Sequence, residues 1–137
     1  MLKYILKIIL ILIVFSCKAQ DQTVKKDTLF FELQKDYIIK GEHFSNENKY
    51  FIKDGAKNNG EVLFFKQQNI KYQIPVSKNR IKSLKEYIRS NSKIYNNGNI
   101  SCYYALNEFE NHAIFFVDMK NLNNPAFIEV AVASEIE

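Results

Sequence analysis

Few residues in this 137-residue chain have types and spacing that suggest chemistry. Glu108, Glu110 and His112 are close in sequence, and alternate residues of a strand share one face. Two carboxylates beside an imidazole could bind a metal ion or perform acid–base hydrolysis. The cluster falls at an expected element boundary, however, where charged side chains are usually solvated, and His43 lies in an expected surface loop. No nucleophile elbow or phosphate-binding glycine loop accompanies them. We therefore assign no catalytic residue, no metal ligand and no cofactor.

Cysteine chemistry is limited to Cys17 and Cys102, the only two cysteines. This number excludes a disulfide framework and a cysteine-based zinc site, which needs several thiolates. If Cys17 is modified or removed, no second cysteine remains to form an intramolecular disulfide with Cys102. We expect Cys102 to be a small, buried, apolar side chain. A reactive or intermolecular thiol is the alternative.

Cys17 ends a segment with the pattern of an export signal. Two lysines are followed by the uninterrupted apolar run Ile8 to Phe15 and by the small residue Ser16. A basic start, a short apolar stretch and a small residue at the exit are typical of a secretory signal. The run is well below the roughly 18 to 20 apolar residues that span a membrane, which disfavours a permanent anchor helix. We predict that residues 1–16 are a signal peptide.

Val14-Phe15-Ser16-Cys17 resembles the lipobox of bacterial lipoproteins, although Phe15 is bulkier than the usual residue. The resemblance implies cleavage before Cys17 and attachment of diacylglycerol to its sulfur, with palmitate-type acyl chains that bind the membrane. Two or more acyl chains would hold the protein stably. The expected location is the cell envelope, at the outer membrane. The competing prediction is cleavage after Ala19, which would release a soluble periplasmic or secreted chain beginning at Gln20.

The charge of the mature chain is lower than that of the precursor. Removing residues 1–16 takes away Lys3 and Lys7 and no acidic residue, so the net charge of +4 falls to about +2. The remaining lysines are scattered among acidic residues. Nucleic-acid binding, which requires a concentrated basic face, is therefore not expected.

The periodicity predicts a tether, residues 17–27, and a single domain, residues 28–137. Within the domain we expect strands at 28–33, 37–40, 50–53, 61–67, 70–76, 112–119 and 127–133. We expect one helix that contains Ile81, Leu84 and Ile88 and is capped by Ser77 or Asn79. A second, short helix is expected at 101–110, for which a strand is the alternative. This order predicts an α+β fold, an antiparallel sheet of about five to seven strands with one or two helices packed on one face.

The predicted strand 70–76 has a strict period of two. Ile70, Tyr72, Ile74 and Val76 alternate with polar residues and with Pro75. Alternation predicts one buried face and one face in water. Because proline donates no backbone hydrogen bond, the strand should lie at an edge of the sheet or end near Pro75.

Three segments together resemble small envelope proteins of flavobacteria: Asp27 to Phe31, Leu84 to Ser90, and Phe127 to Val130 with Glu135 to Glu137. The resemblance spans most of the mature chain and implies an envelope location. It carries no assigned activity, so it transfers no functional residue. Asp27-Thr28-Leu29 also resembles the O-glycosylation acceptor of that phylum, and strand formation is the alternative interpretation.

These observations favour a non-enzymatic envelope lipoprotein, a tethered module that binds an envelope protein or another envelope component. An inhibitor or immunity-type protein is the first alternative. An envelope hydrolase with an unrecognised site, testable at Glu108 and His112, is the second. The eleven Phe and eight Tyr residues supply the core, and most tyrosines should be half-buried rather than part of a recognition surface.

Overall fold

The computed structural model describes residues 27–42, 44–54 and 60–136. Several predictions fall outside these ranges, namely the signal peptide 1–16, lipidation of Cys17, cleavage after Ala19, the tether up to residue 26, and the surface position of His43. They stay predictions.

Strands dominate the described residues, and two α-helices accompany them. In chain order the elements are β1 (Thr28–Glu32), β2 (Ile38–Lys40), β3 (Lys49–Ile52), β4 (Glu61–Tyr72), β5 (Ile81–Lys82), α1 (Leu84–Ser90), β6 (Tyr95–Asn96), β7 (Asn99–Ile100), α2 (Cys102–Glu110), β8 (Ala113–Asp118) and β9 (Ala126–Ile136). Neither helix, nor any other helix within these ranges, is long and apolar enough to cross a lipid bilayer.

The main sheet has seven strands in the order β2-β3-β4-β9-β8-β1-β5 within the described residues, and β6 pairs with β7 in a separate ribbon. The α+β class is confirmed. The expectation of an antiparallel sheet is wrong, because β1 pairs in parallel with both β5 and β8. Parallel neighbours need crossover connections. Here α2 returns the chain to the end of the sheet where β1 begins, so Ala113 pairs with Thr28 and the two strands run the same way.

The connection between β1 and β2 requires the sheet to curl. These strands occupy the sixth and first positions, five spacings apart, which is about 24 Å in a flat sheet. Only six Cα steps join Glu32 to Ile38, at most about 21 Å when fully extended. The connection is also shortened by a turn, in which the Gln34 carbonyl accepts hydrogen bonds from Tyr37 N at 3.0 Å and Ile38 N at 2.7 Å. The edge strand β2 must therefore bend toward the end of β1.

Both helices pack on the concave side of the curled sheet. Leu84 and Ile88 of α1 and Phe109 of α2 are buried there with strand residues. Aromatic rings form the centre of this core: Phe65 lies 5.4 Å from Phe109 and 5.2 Å from Phe116 between ring centroids, both edge to face. The helices thus fill one end of the concave side.

A smaller apolar cluster covers the convex side. Phe30, Phe115 and Phe127 are buried there, and Phe30 stacks on Phe115 at 5.5 Å. Ile74 and Val76 pack against the cluster from the segment between β4 and β5. The predicted strands 61–67 and 70–76 are therefore wrong as separate elements. One strand, β4, runs to Tyr72 with a bulge between Gln67 and Asn69, and it ends near Pro75 as predicted.

The second helix agrees with its prediction better than the first. Ser101 caps α2, accepting a hydrogen bond from Tyr104 N at 3.4 Å. Helix α1 begins later than predicted. Ser83 is its cap, accepting from Glu86 N at 3.3 Å, while Ser77 makes no such bond to the 3-10 turn that follows it.

Candidate functional site

The acidic and histidine cluster forms a chain of contacts between the helices. The Tyr87 hydroxyl donates to Glu108 Oε1 at 2.6 Å, and His112 Nε2 lies 3.9 Å from the same oxygen. His112 Nδ1 is 2.8 Å from the Asp27 carbonyl oxygen. Burial and the Glu108 carboxylate raise the pKa of Tyr87 to about 12, so its hydroxyl stays protonated at neutral pH. The contacts join α1 to α2 and to the start of β1.

This arrangement does not match the strand-face pairing considered for Glu108, Glu110 and His112. Glu108 and Glu110 both belong to α2, so they do not share a strand face, and His112 reaches Glu108 across one helical turn. Glu110 bonds to neither within the described part of the chain. Across residues 27–42, 44–54 and 60–136, no three His, Cys, Asp or Glu side chains are grouped to hold a metal ion.

The surface around these contacts does not form a deep site. Tyr87 and Glu108 line one surface depression, and His112 lines another. No residue of either depression belongs to the cleft described below. The contacts are best explained as structural, since they connect three elements and no three potential metal ligands are grouped among the described residues.

Cys102 is buried at the start of α2, with 2% of its surface exposed. Its thiol donates to the Glu61 carbonyl at 3.8 Å. Burial and the charge of Glu61 raise the pKa of Cys102, which keeps the thiol protonated and unreactive at neutral pH. The prediction of a buried apolar role is confirmed.

A separate cleft lies on the concave side of the sheet and has a volume of about 550 Å³. This size is within the about 300–1,000 Å³ of typical ligand sites. We call it the concave cleft. Its lining residues come from five strands, from the β1–β2 connection and from the loops that follow β2 and β8: Leu33, Lys35, Ile38, Ile39, Lys40, Glu42, Tyr50, Gln67, Ile70, Tyr72, Asp118, Lys120, Ala126 and Ile128.

Apolar side chains form most of the cleft surface. Ile39, Ile70 and Tyr72 are 50%, 42% and 58% exposed, respectively. They are three of the seven large hydrophobic side chains that are exposed in the described residues, and all three line this cleft. Ile128 and Ile38 continue the surface into the core that the helices cover. Exposed apolar residues gathered in one concavity mark a binding site more often than residues scattered singly.

Charged side chains surround the apolar surface. Lys35, Lys40 and Lys120 contribute three ammonium groups, and Glu42 and Asp118 contribute two carboxylates. A side-chain interaction with Lys120, together with desolvation and the positive charge of Lys120, lowers the pKa of Lys35, and the negative charge of Asp118 opposes this shift. Among the described residues, neither lysine forms an ion pair within 4.0 Å. Lys35 and Lys120 therefore lie at the same part of the cleft as Asp118, without a close ion pair to it among the described residues.

Three polar side chains of the cleft take part in hydrogen bonds within the protein. The Tyr50 hydroxyl donates to Gln67 Oε1 at 3.1 Å, and Asp118 Oδ1 accepts from the backbone N–H of Lys120 at 3.1 Å. Burial, together with the charge of Asp118, raises the pKa of Tyr50. The Tyr50 donor and one acceptor site on each of Gln67 and Asp118 are therefore occupied.

The wall that carries Lys35 is held in place from both sides. Ser83, the cap of α1, donates to Gln34 Oε1 at 3.0 Å, and Leu33 N donates to the Val117 carbonyl at 2.9 Å. This wall of the cleft is therefore fixed without a ligand, because it forms hydrogen bonds to both the helix layer and the sheet.

The sequence analysis missed this cleft. Alternation predicted that Ile70 and Tyr72 would be buried, and they are instead exposed on its surface. Apolar alternation identifies the face of the sheet but not whether a helix covers that part of it. Lys35 and Lys120 are 85 positions apart, and only the parallel pairing of β1 and β8 brings the residues that follow these strands together.

Comparison with protein-family models, curated proteins and solved structures finds no match to this chain.

Proposed function

We propose that this protein is an exported, lipid-anchored, non-enzymatic module that binds a ligand in the concave cleft. One observation carries the binding proposal: Ile39, Ile70 and Tyr72 are exposed together in a concavity of ligand-binding size. Their exposure to water is unfavourable, and a bound apolar group would remove that contact. Among the described residues that line the cleft, no nucleophile, base and acid are grouped, which favours binding over catalysis.

Membrane attachment is supported by the sequence alone, through the lipobox-like segment that ends at Cys17. A tether from Cys17 to the first strand would keep the cleft close to the membrane surface. The intact mass of the membrane-extracted protein tests this part. We expect an N-terminal Cys17 carrying acyl mass, and loss of that mass in Cys17→Ser. An unmodified chain beginning at Gln20 would contradict lipidation.

Ligand binding is tested by methyl NMR on a chain that begins at residue 18, which retains every described element and both apolar clusters. Four probes represent the chemistry of an envelope: dodecanoate, a lysophospholipid, a disaccharide-peptide fragment of peptidoglycan, and a short apolar peptide. We expect at least one probe to shift the methyl signals of Ile39 and Ile70 saturably. The methyl signal of Ile88, which is buried on α1, should not change. If no probe shifts the cleft signals, the binding proposal is wrong.

A further inference from the structure

The chemistry of the concave cleft indicates which class of ligand it accepts, and this inference rests on the proposed binding function. The cleft combines an apolar surface with the adjacent ammonium groups of Lys35 and Lys120. We propose that the concave cleft binds a free fatty acid, with its alkyl chain on Ile70, Tyr72 and Ile128 and its carboxylate at Lys35 and Lys120.

The apolar part of the ligand is inferred from the hydrogen-bonding state of the cleft. The Tyr50 hydroxyl already donates to Gln67. The surface beside this pair is formed by Ile70 and Ile128, whose side chains offer no hydrogen bonds to the backbone amides of a peptide or the hydroxyls of a sugar. A peptide or sugar buried against that surface would leave its own polar groups unsatisfied, which is unfavourable. An alkyl chain has no such groups. It would gain from covering the exposed surfaces of Ile70 and Tyr72.

The anionic head group is inferred from charge. Lys35 and Lys120 repel each other, and an anion between them would relieve that repulsion and form charge-assisted hydrogen bonds with both. Lys40 adds a third positive group on the opposite wall, where it pairs across the sheet with Tyr50. Glu42 and Asp118 also line the cleft, so its lysines exceed its carboxylates by one charge. A head group between Lys35 and Lys120 meets two positive charges and the single carboxylate of Asp118, which favours an anion over a cation there.

Titration calorimetry with dodecanoate below its critical micelle concentration tests the inference, using the chain that begins at residue 18. We expect saturable binding to one site. Dodecan-1-ol, which has the same chain without the charge, should bind at least about tenfold more weakly, and dodecyltrimethylammonium should not bind at the site.

Two double variants separate the role of the cleft lysines from general charge. Lys35→Gln with Lys120→Gln should weaken dodecanoate binding by about tenfold or more. Lys78→Gln with Lys93→Gln removes the same charge from exposed positions outside the cleft, so it should leave the affinity unchanged. All four lysines are exposed, so none of these changes disturbs the core.

Failure of this inference can be distinguished from failure of the proposed function. If dodecanoate does not bind while another probe shifts the Ile39 and Ile70 methyl signals, the fatty-acid inference is wrong and the cleft remains a binding site. Equal weakening by both double variants, or equal affinity for dodecanoate and dodecan-1-ol, would also overturn it. If no probe affects the cleft signals, both proposals fail.

Discussion

At the scale of single residues, the Tyr87–Glu108 hydrogen bond is the strongest polar contact between the helices. At 2.6 Å, with a carboxylate acceptor, it belongs to the short, charge-assisted class. The sequence indicated Glu108 and His112 as a pair of interest, and the structure brings them within 3.9 Å of each other. The sequence did not indicate Tyr87 as their partner, because the two helices that carry Tyr87 and Glu108 meet only through tertiary packing.

Tyr87→Phe should lower the free energy of unfolding by about 1–2 kcal/mol at pH 8, because Glu108 loses its donor while partly buried. The difference in unfolding free energy between the variant and the unmodified protein should become smaller above pH 10. Folding raises the pKa of Tyr87 from 10 to about 12, so its contribution is fully present below pH 10 and is lost as the pH rises through 12. Urea unfolding of both proteins at pH 8 and at pH 11.5 measures this. A deficit that is constant with pH would contradict the assigned contact.

At the scale of elements, the helix boundaries show where local sequence signals suffice. Ser101 is the sole capping residue at the start of α2, and the prediction of that helix is confirmed. Three residues that could cap α1 precede it, namely Ser77, Asn79 and Ser83. The local pattern alone favoured Ser77 or Asn79. Pairing of Ile81 with Phe30 in the sheet takes residues 81–82 into a strand, so the helix begins only after Ser83.

Ser83→Ala should lower the free energy of unfolding by about 1–2 kcal/mol, since Ser83 both caps α1 and donates to Gln34. Ser77→Ala is the matched control. Its hydroxyl bonds only to the nearby Asn79 at 2.6 Å on the surface, so its cost should be at most about 0.5 kcal/mol. Chemical denaturation of the two variants provides the comparison. Equal costs would mean that Ser83 does not hold the helix and the cleft wall.

At the scale of the whole molecule, the α+β class and the two-layer packing could be predicted from periodicity, and the topology could not. The curl of the sheet follows from the short connection between β1 and β2, which is informative only once their positions in the sheet are known. The same curl leaves part of the concave side uncovered by helices. Ile70 and Tyr72 therefore line a cleft and are not part of the core. The alternation of residues within their own strand does not predict this outcome.

The measurement that tests the central claim most directly is dodecanoate binding to two matched variants of the chain beginning at residue 18. Ile70→Glu places a charge on the apolar surface of the cleft, and Leu122→Glu places the same charge at an exposed leucine that does not line it. The account predicts that Ile70→Glu abolishes saturable binding, while Leu122→Glu keeps the affinity of the unmodified sequence and both variants remain folded by circular dichroism. Retained binding in a folded Ile70→Glu variant would contradict the assignment of the concave cleft as the binding site.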